Sequence, residues 1–201
     1  MKVTVIDYKA GNLTSVIKAL RHLGVEVTVT GGPEPLESAE RIILPGVGHF
    51  AATRRLDETG LTPAIRAAIA RGAPFLGICV GMQWLYIGST EAPDQPGLGH
   101  LPEIIERFPD STEKVPHVGW NQIKVSPKSR LLAGVQSGEF VYFTHSWRAP
   151  VMQATVAVTD YIQPFASAVE DKNVFGVQFH PEKSGETGLR ILKNFLELQP
   201  C

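Results

Sequence analysis

Short apolar segments alternate with helix-like segments through residues 3–79, and this alternation constrains the fold more than any other feature. Between the apolar segments, residues 12–23 and 62–71 repeat their apolar side chains at helical spacing. Strands that alternate with helices pair in parallel, because each helix returns the chain to the start of the next strand. The sequence therefore predicts an α/β fold with a central, mostly parallel sheet flanked by helices. The predicted strands are Val3–Ile6, Val25–Val29, Arg41–Leu44 and Phe75–Ile78.

The pattern changes after about residue 100, where strand-like segments follow one another with short turns between them. Strands joined by short turns pair antiparallel, so we expect antiparallel or mixed strands in this half. A helix over Gly188–Leu198 closes the chain, and no linker or repeat divides it. We therefore expect one domain over residues 1–201. The predicted strands are Ile104–Phe108, Asn121–Val125, Phe140–Phe143, Ala154–Thr159, Ala166–Val169 and Val174–Gln178.

Composition narrows the class of protein. Of the 201 residues, 43% are apolar and 19% are charged, which is typical of a globular protein with its own core. The formal net charge of −1 gives no reason to expect nucleic acid or a membrane as a partner, and no apolar run reaches the length of a membrane span. Two cysteines cannot build a disulfide framework, so we expect a reducing cytoplasm and interpret Cys201 as an incidental free thiol.

The segment Phe75–Gln83 places Cys79 between a predicted strand and a predicted helix start, with glycines on both sides. Serine hydrolases carry their nucleophile on a similar strand–turn–helix elbow. We expect an exposed thiol there, close to free backbone N–H groups and to the positive end of a helix, which favour the thiolate. Taken alone, a cysteine in an apolar segment is more often a small core residue.

A thiolate nucleophile needs a base, and His180 is the strongest candidate among six histidines. It follows an apolar strand, and in parallel sheets the working residues lie at the carboxyl ends of the strands. Glu182 is two residues further on, where a carboxylate can orient the imidazole. Separately, such a histidine is more often structural and such a glutamate is more often a surface charge. Together with Cys79 they predict nucleophilic catalysis.

The reaction of such a nucleophile creates an oxyanion that needs preorganised donors. The backbone N–H of Val80, the residue after the nucleophile, is one candidate. The turn Pro45–Gly48 follows a neighbouring predicted strand, so the backbone N–H of Val47 is a second candidate. Proline and glycine also form ordinary turns, and on its own this segment is interpreted as one.

The segment Leu76–Gln83 together with His180–Glu182 resembles the class I, or triad, glutamine amidotransferases. The resemblance implies that Cys79 attacks the side-chain amide of glutamine and releases ammonia, with His180 as acid and base and Glu182 as its partner. It also implies glutamine-binding roles at three further positions, and it implies neither a metal nor another cofactor. These positions are Gly48, Gln83 and Ser146.

Further motifs resemble the glutaminase subunits of imidazole glycerol phosphate synthases, and they run from the first predicted strand to the last. Two are discriminating within the larger family, namely the valine of Pro45–Gly48 and the extension Lys183-Ser184. Two positions depart from the pattern: Lys9 stands where glycine is usual, and Trp147 stands where tyrosine is more typical. The other motifs are Ile6–Tyr8, Gly11–Leu13, His49-Phe50, Pro116–Asn121, Tyr142–Ser146 and His180–Ser184.

The resemblance implies that this chain is half of an enzyme. Its partner would be a (β/α)8-barrel synthase subunit that receives the ammonia through a protected channel and makes imidazole glycerol phosphate and aminoimidazole carboxamide ribotide in histidine biosynthesis. No phosphate-cradling glycine-rich loop is present in this sequence, so the acceptor must bind elsewhere. By analogy, the docking surface would include Asn12, Trp120, Asn121, Tyr142 and Lys183, although Trp120 is also compatible with a core position.

Hydrolysis without an acceptor wastes glutamine, so we expect the turn Gly46–Gly48 to act as a switch, because a peptide flanked by glycines rotates at little steric cost. Two alternatives stay open. One is a glutaminase subunit of anthranilate or aminodeoxychorismate synthase, which would share the triad and differ in the partner. The other is a non-catalytic binding or redox-sensing module that contains Cys79.

Overall fold

The computed structural model describes residues 1–10 and 13–199. Five helices lie in this range: α1 Leu13–His22, α2 Arg54–Glu58, α3 Leu61–Ala70, α4 Val80–Gln83 and α5 Gly185–Glu197. Three short 3-10 helices cover Glu34–Leu36, Phe50–Thr53 and Pro181–Lys183. The predicted helices over 12–23, 62–71 and Gly188–Leu198 correspond to α1, α3 and α5. Asn12 and Gly11 lie outside the described residues, as does Cys201.

The described residues form thirteen strands. The first five are β1 Lys2–Ile6, β2 Glu26–Thr30, β3 Ile42–Gly46, β4 Phe75–Cys79 and β5 Tyr86–Ser89. The next four are β6 Leu101–Arg107, β7 His117–Gln122, β8 Lys124–Val125 and β9 Phe140–His145. The last four are β10 Trp147–Arg148, β11 Thr155–Tyr161, β12 Gln163–Asp171 and β13 Val174–Val177. Strands β5 and β10 were not predicted from the sequence, and the predicted strand Asn121–Val125 covers parts of both β7 and β8.

Eight strands form the central sheet, in the order β2-β1-β3-β4-β13-β12-β11-β8. Strands β2, β1, β3, β4 and β13 are mutually parallel, and β12, β11 and β8 continue the sheet antiparallel. The mostly parallel sheet predicted from the alternating segments is confirmed. The C-terminal half is mixed, because its last strand inserts beside β4 and runs parallel to it.

The core lies on both faces of this sheet. Every residue of β3 and of β4 is buried, as is usual for parallel strands covered by helices on both sides. One apolar cluster joins the central strands to α1 and α5, through Val16, Leu20 and Phe195. A second cluster joins the opposite face to α3, through Leu61 and Ile65. This double cover fixes the carboxyl ends of β3, β4 and β13 against one another.

Two small sheets flank the central one. Strands β10, β6 and β5 form the first, and β7 and β9 form an antiparallel pair with Trp120 opposite Tyr142. Within residues 1–10 and 13–199, no helix is both long and apolar enough to span a membrane.

Candidate active site

Cys79 is the last residue of β4 and stands on a sharp elbow, with φ 55° and ψ −110°. The single turn of helix α4 follows it directly. A side chain added at Gly77 would overlap the backbone of Gly81, and one added at Gly81 would overlap the carbonyl of Leu44. The elbow therefore needs both glycines for close packing. The expectation of an exposed thiol is wrong, because Cys79 is only 3% exposed; the packing that holds the elbow also covers the sulfur.

His180 and Glu182 follow β13, the strand beside β4, in which Val177 pairs with Ile78. The Nδ1 atom of His180 lies 2.8 Å from the Oε1 atom of Glu182, and both side chains are almost fully buried. Burial lowers the pKa of His180, but the Cys79 sulfur and the Glu182 carboxylate outweigh it and raise this pKa to about 9. At neutral pH the imidazole therefore keeps its proton.

A cavity of about 310 Å³ opens beside the thiol. Its volume is near the lower end of the range for ligand pockets, about 300–1,000 Å³, and suits a molecule the size of an amino acid. His180 and Glu182 do not line this cavity. The lining brings together the predicted residues Cys79, Val47, Gly48, Val80, Gln83 and Ser146, together with Glu91, Pro116, Thr144, His145 and Trp147.

The two predicted oxyanion donors differ in their state. Val80 begins the helical turn α4, where backbone N–H groups have no acceptor within the helix. The backbone N–H of Val47 instead donates to the carbonyl oxygen of Ala10 at 3.4 Å. The next residue, Gly48, has φ +102°, a conformation that favours glycine. In this conformation the Val47 donor is engaged elsewhere, which differs from the expected oxyanion site.

The side chain of Gln83 is hydrogen-bonded to Gln178, a residue that was not predicted from the sequence. The Nε2 atom of Gln83 donates to the Trp147 carbonyl oxygen at 3.1 Å and to Oε1 of Gln178 at 3.0 Å. The Nε2 atom of Gln178 lies 3.6 Å from the Cys79 sulfur and donates to it. The sequence does contain a signal for Gln178, because side chains two residues apart on a strand share a face and His180 is two residues further on.

Glu91 and His145 line the cavity and were not predicted as site residues. The side chain of Glu91 is largely covered beside the cavity, and its Oε2 atom accepts the backbone N–H of Phe50 at 2.9 Å. His145 contacts His117 through their ring nitrogens at 3.2 Å. Burial is the main cause that lowers the pKa of His145 to about 3 and that of His117 to about 4. Both imidazoles are therefore neutral at physiological pH.

The predicted docking residues divide into two groups. Trp120 is 55% exposed and meets the ring of Tyr142 edge-on, with 6.1 Å between the centroids. The Nζ atom of Lys183 lies 5.6 Å from the centroid of the same tyrosine ring. Asn121 points to the opposite face of the β7–β9 pair, where its amide contacts His117 and the Asp160 carbonyl. Asn121 therefore does not share a surface with Trp120, contrary to the prediction.

The two departures from the family pattern also have defined surroundings. Lys9 takes the left-handed conformation, with φ 64°, and both its backbone N–H and its Nζ atom donate to the Asp7 carboxylate at 2.9 Å. Trp147 lines the cavity, and its carbonyl oxygen accepts hydrogen bonds from Gln83 and His145. Among the residues that the structure describes, no group of three or more His, Cys, Asp or Glu side chains is placed to hold a metal ion.

Comparisons with solved structures agree with this architecture. A crystal structure of a glutamine amidotransferase superposes with a TM-score of 0.76 at 23% identity, and covers 97% of each chain. The structure of PurLQS from Thermotoga maritima also gives 0.76, at 22% identity and 97% coverage of each chain. At these identities the likeness supports the fold.

Sequence relatives extend the match. The imidazole glycerol phosphate synthase subunit HisH of Archaeoglobus fulgidus is 42% identical over 197 residues, 98% of each chain. The protein of the same name from Bacteroides fragilis is 48% identical over 201 residues, which cover 98% of this chain and all of the relative. The family model for class-I glutamine amidotransferases matches residues 4–198. This chain belongs to the class-I glutamine amidotransferase family.

Proposed function

We propose that this chain is the glutaminase subunit of an imidazole glycerol phosphate synthase. It hydrolyses glutamine to glutamate and ammonia and delivers the ammonia to a partner subunit, in the cytoplasm. The observation that carries the proposal is the buried arrangement of Cys79, His180 and Glu182 in a chain that HisH subunits match over 98% of its length. The anthranilate and aminodeoxychorismate alternatives share the triad, but the relatives cited above carry the HisH name.

Glutamine binds in the cavity beside Cys79. The Glu91 carboxylate suits the α-ammonium group of the amino acid, since a buried carboxylate is stabilised by an opposite charge. Both N–H groups of Gln83 are already used, by Trp147 and Gln178, so its Oε1 atom is left to accept a hydrogen bond from the ligand. Gly48 and Ser146 complete the wall. These contacts direct the side-chain amide towards the sulfur.

Acylation begins with the thiolate of Cys79 and the imidazolium of His180. The sulfur attacks the side-chain carbonyl carbon, and the carbonyl oxygen becomes an oxyanion that the Val80 N–H accommodates. His180 gives its proton to the amide nitrogen, the carbon–nitrogen bond breaks, and ammonia leaves. A γ-glutamyl thioester remains on Cys79. The Glu182 carboxylate holds the imidazole in orientation through Nδ1.

Deacylation uses the neutral imidazole that acylation leaves behind. His180 takes a proton from water, whose oxygen attacks the thioester carbon. The carbon–sulfur bond then breaks and glutamate leaves, with Cys79 as the thiolate and His180 as the imidazolium. The enzyme thereby returns to its starting protonation state. Every step uses groups of this chain and needs no metal or other cofactor.

The partner is a (β/α)8-barrel synthase subunit, which binds the surface formed by Trp120, Tyr142 and Lys183. An exposed tryptophan packed edge-on against a tyrosine is suited to anchor a protein interface. Strand β9, which carries Tyr142, also carries Thr144 and His145 of the cavity wall. The proposed docking surface and the glutamine site therefore share one strand. Asn12 was predicted to belong to this surface and lies outside the described residues.

The test combines the purified chain with the barrel subunit and its phosphoribosyl aminoimidazole substrate. We expect glutamine to support formation of imidazole glycerol phosphate, and neither subunit alone to do so. Co-purification with a chorismate-using enzyme instead of the barrel subunit would overturn the proposal in favour of the anthranilate-type alternative.

Substitution of Cys79 by alanine separates the two half-reactions. The Cys79→Ala complex should lose activity with glutamine and keep it with an ammonium salt, because only the source of ammonia is removed. A variant that ammonium fails to rescue would indicate a structural role for Cys79. A wild-type complex that releases no glutamate would support the non-catalytic alternative.

A further inference from the structure

Gln178 makes a contact with the nucleophile that the proposed mechanism has not used. Its side chain is fully buried, and its Nε2 atom lies 3.6 Å from the Cys79 sulfur, within hydrogen-bonding distance for sulfur. We propose that Gln178 is a catalytic residue, whose amide N–H stabilises the thiolate of Cys79 before attack and when the thioester breaks. This inference rests on the proposed role of Cys79 as the nucleophile.

The orientation of the Gln178 amide follows from its neighbours. The Trp147 carbonyl oxygen can only accept, so the end of Gln83 that faces it must be the NH2 group. The same NH2 group faces Gln178, and the end of Gln178 nearest to it must therefore be the oxygen, at 3.0 Å. The opposite end, which faces Cys79, is then the NH2 group. A fixed backbone carbonyl thus determines that the sulfur meets a donor.

The fold places this donor and His180 close to Cys79. Gln178 and His180 follow β13 two residues apart, and the chain bends at Gln178 and Phe179 between the strand and His180. The backbone N–H of Gln178 donates to the Ser167 carbonyl at 2.9 Å, and that of His180 donates to the Tyr142 carbonyl at 2.9 Å. Both residues are therefore anchored by the main chain beside the elbow that carries Cys79.

A buried thiolate needs such donors, because a charge removed from water is costly unless hydrogen bonds replace its hydration. In the proposed mechanism, His180 gives its proton to the leaving ammonia. The Gln178 amide never gives up its proton, so it donates to the sulfur throughout the cycle. It acts on the sulfur again in deacylation, when the carbon–sulfur bond breaks and the thiolate reforms beside the protonated His180.

Gln83 then has two tasks in this site. Its Oε1 atom is available to glutamine, and its NH2 group holds the Gln178 amide in the donating orientation. In the second task Gln83 is a positioning residue, because it affects the sulfur only through Gln178. Replacement of Gln83 should therefore change the reactivity of the thiol even when no glutamine is present.

The experiment measures the alkylation of Cys79 by iodoacetamide as a function of pH, in the full chain without glutamine or partner. A Cys201→Ser background leaves Cys79 as the one thiol in the sequence. Gln178→Met keeps the length of the side chain and removes the donor. We expect the midpoint of the pH profile to move upwards by about one unit and alkylation well below that midpoint to slow about tenfold, since hydrogen bonds to charged groups are among the stronger ones. Above the new midpoint the rates should converge.

Gln95→Met is the matched control, because Gln95 is a buried glutamine with its own side-chain partners away from the thiol. It should lower stability without moving the alkylation profile. Gln178→Leu provides a second replacement if Gln178→Met does not fold. Gln83→Met should move the profile in the same direction by a smaller amount.

An unchanged profile in a folded Gln178 variant would overturn the proposal, even if the variant lost glutaminase activity. The readout needs neither glutamine nor the barrel subunit, so failure of the proposed partner would leave it unaffected. In the complex, Gln178→Met should lower kcat with little change in KM, because the donor acts on the sulfur and does not contact glutamine. A rise in KM with unchanged kcat would contradict the role at the sulfur.

Discussion

The backbone N–H of Val47 donates to the carbonyl oxygen of Ala10, with 3.4 Å between nitrogen and oxygen. This contact occupies one of the two donors expected to hold the oxyanion. The N–H of Val47 is part of the peptide between Gly46 and Val47, which would have to rotate to release it, and Gly46 tolerates such a rotation because a glycine has few restrictions on its backbone angles. The distance is long for an N–H···O bond, so the cost of breaking it is small.

The first prediction concerns the rate of glutamine hydrolysis by the free chain. With the Val47 donor engaged, we expect hydrolysis to be slower by about 100-fold than in the complex with barrel subunit and acceptor, the usual effect of one missing oxyanion donor. Glutamate release measured with and without the partner tests this. Equal rates would show that the Val47–Ala10 contact does not limit the reaction.

The second prediction concerns Glu182 and the pH dependence of stability. The pKa of His180, about 9, is above that of an unfolded histidine, because Cys79 and Glu182 outweigh the opposing effect of burial. Protonated His180 therefore stabilises the fold fully below about pH 6.5, and this contribution is lost as the pH rises through about 9. Glu182→Gln removes part of it, so the difference in unfolding free energy from wild type should be larger at about pH 6 than at about pH 9.5.

Urea unfolding at both pH values measures this difference, and glutaminase activity of the same variant should fall by at least about 100-fold. Glu186→Gln is a suitable control, since Glu186 is an exposed glutamate in the first turn of α5. A stability difference independent of pH would argue against the coupling of Glu182 to His180.

The third prediction tests the docking surface. Trp120→Ala should change the unfolding free energy by less than about 0.5 kcal/mol, because the side chain is mostly exposed. It should weaken binding of the barrel subunit at least about tenfold, as expected for an aromatic anchor. Calorimetric titration measures the affinity. Ile104→Ala, at an exposed apolar residue of the separate β6 strand, should leave it unchanged, and equal effects of both variants would contradict the proposed surface.

The fourth prediction concerns Lys9, whose φ of 64° is unfavourable for any residue with a side chain. Lys9→Gly and Lys9→Ala both remove the ion pair with Asp7, so they differ mainly in this backbone strain. The glycine variant should be more stable by about 1 kcal/mol. At Lys18, an exposed position inside α1, the alanine variant should instead be more stable than the glycine variant, because glycine is unfavourable in helices. The same order at both positions would exclude strain at Lys9.

Local patterns predicted the fold well where burial is uniform. The segments that became β3 and β4 are continuous apolar runs, and both strands are buried along their whole length. Strands β5 and β10 were missed because they are short members of a small flanking sheet, and only tertiary contacts favour them. The opposite directions of Trp120 and Asn121 follow from the period of two in a strand and were predictable.

The site was predictable where its contacts are local. His180 and Glu182 are two residues apart, and their hydrogen bond follows the motif that indicated it. Gln83 and Gln178 are 95 residues apart, and no spacing rule connects them. The burial of Cys79 depends equally on distant backbone, because the elbow packs against the carbonyl of Leu44. Contacts of this kind become visible only when the strand order is known.

Strand order also determines when the enzyme can become active during its synthesis. Cys79 and its partner Gln178 are 99 residues apart in the chain, although their strands β4 and β13 are neighbours in the sheet. A nascent chain that ends before β13 exposes one edge of β4 and carries Cys79 without Gln178, His180 and Glu182, the residues proposed to act with it. We therefore expect glutamine hydrolysis to begin only after nearly all of the polypeptide has left the ribosome.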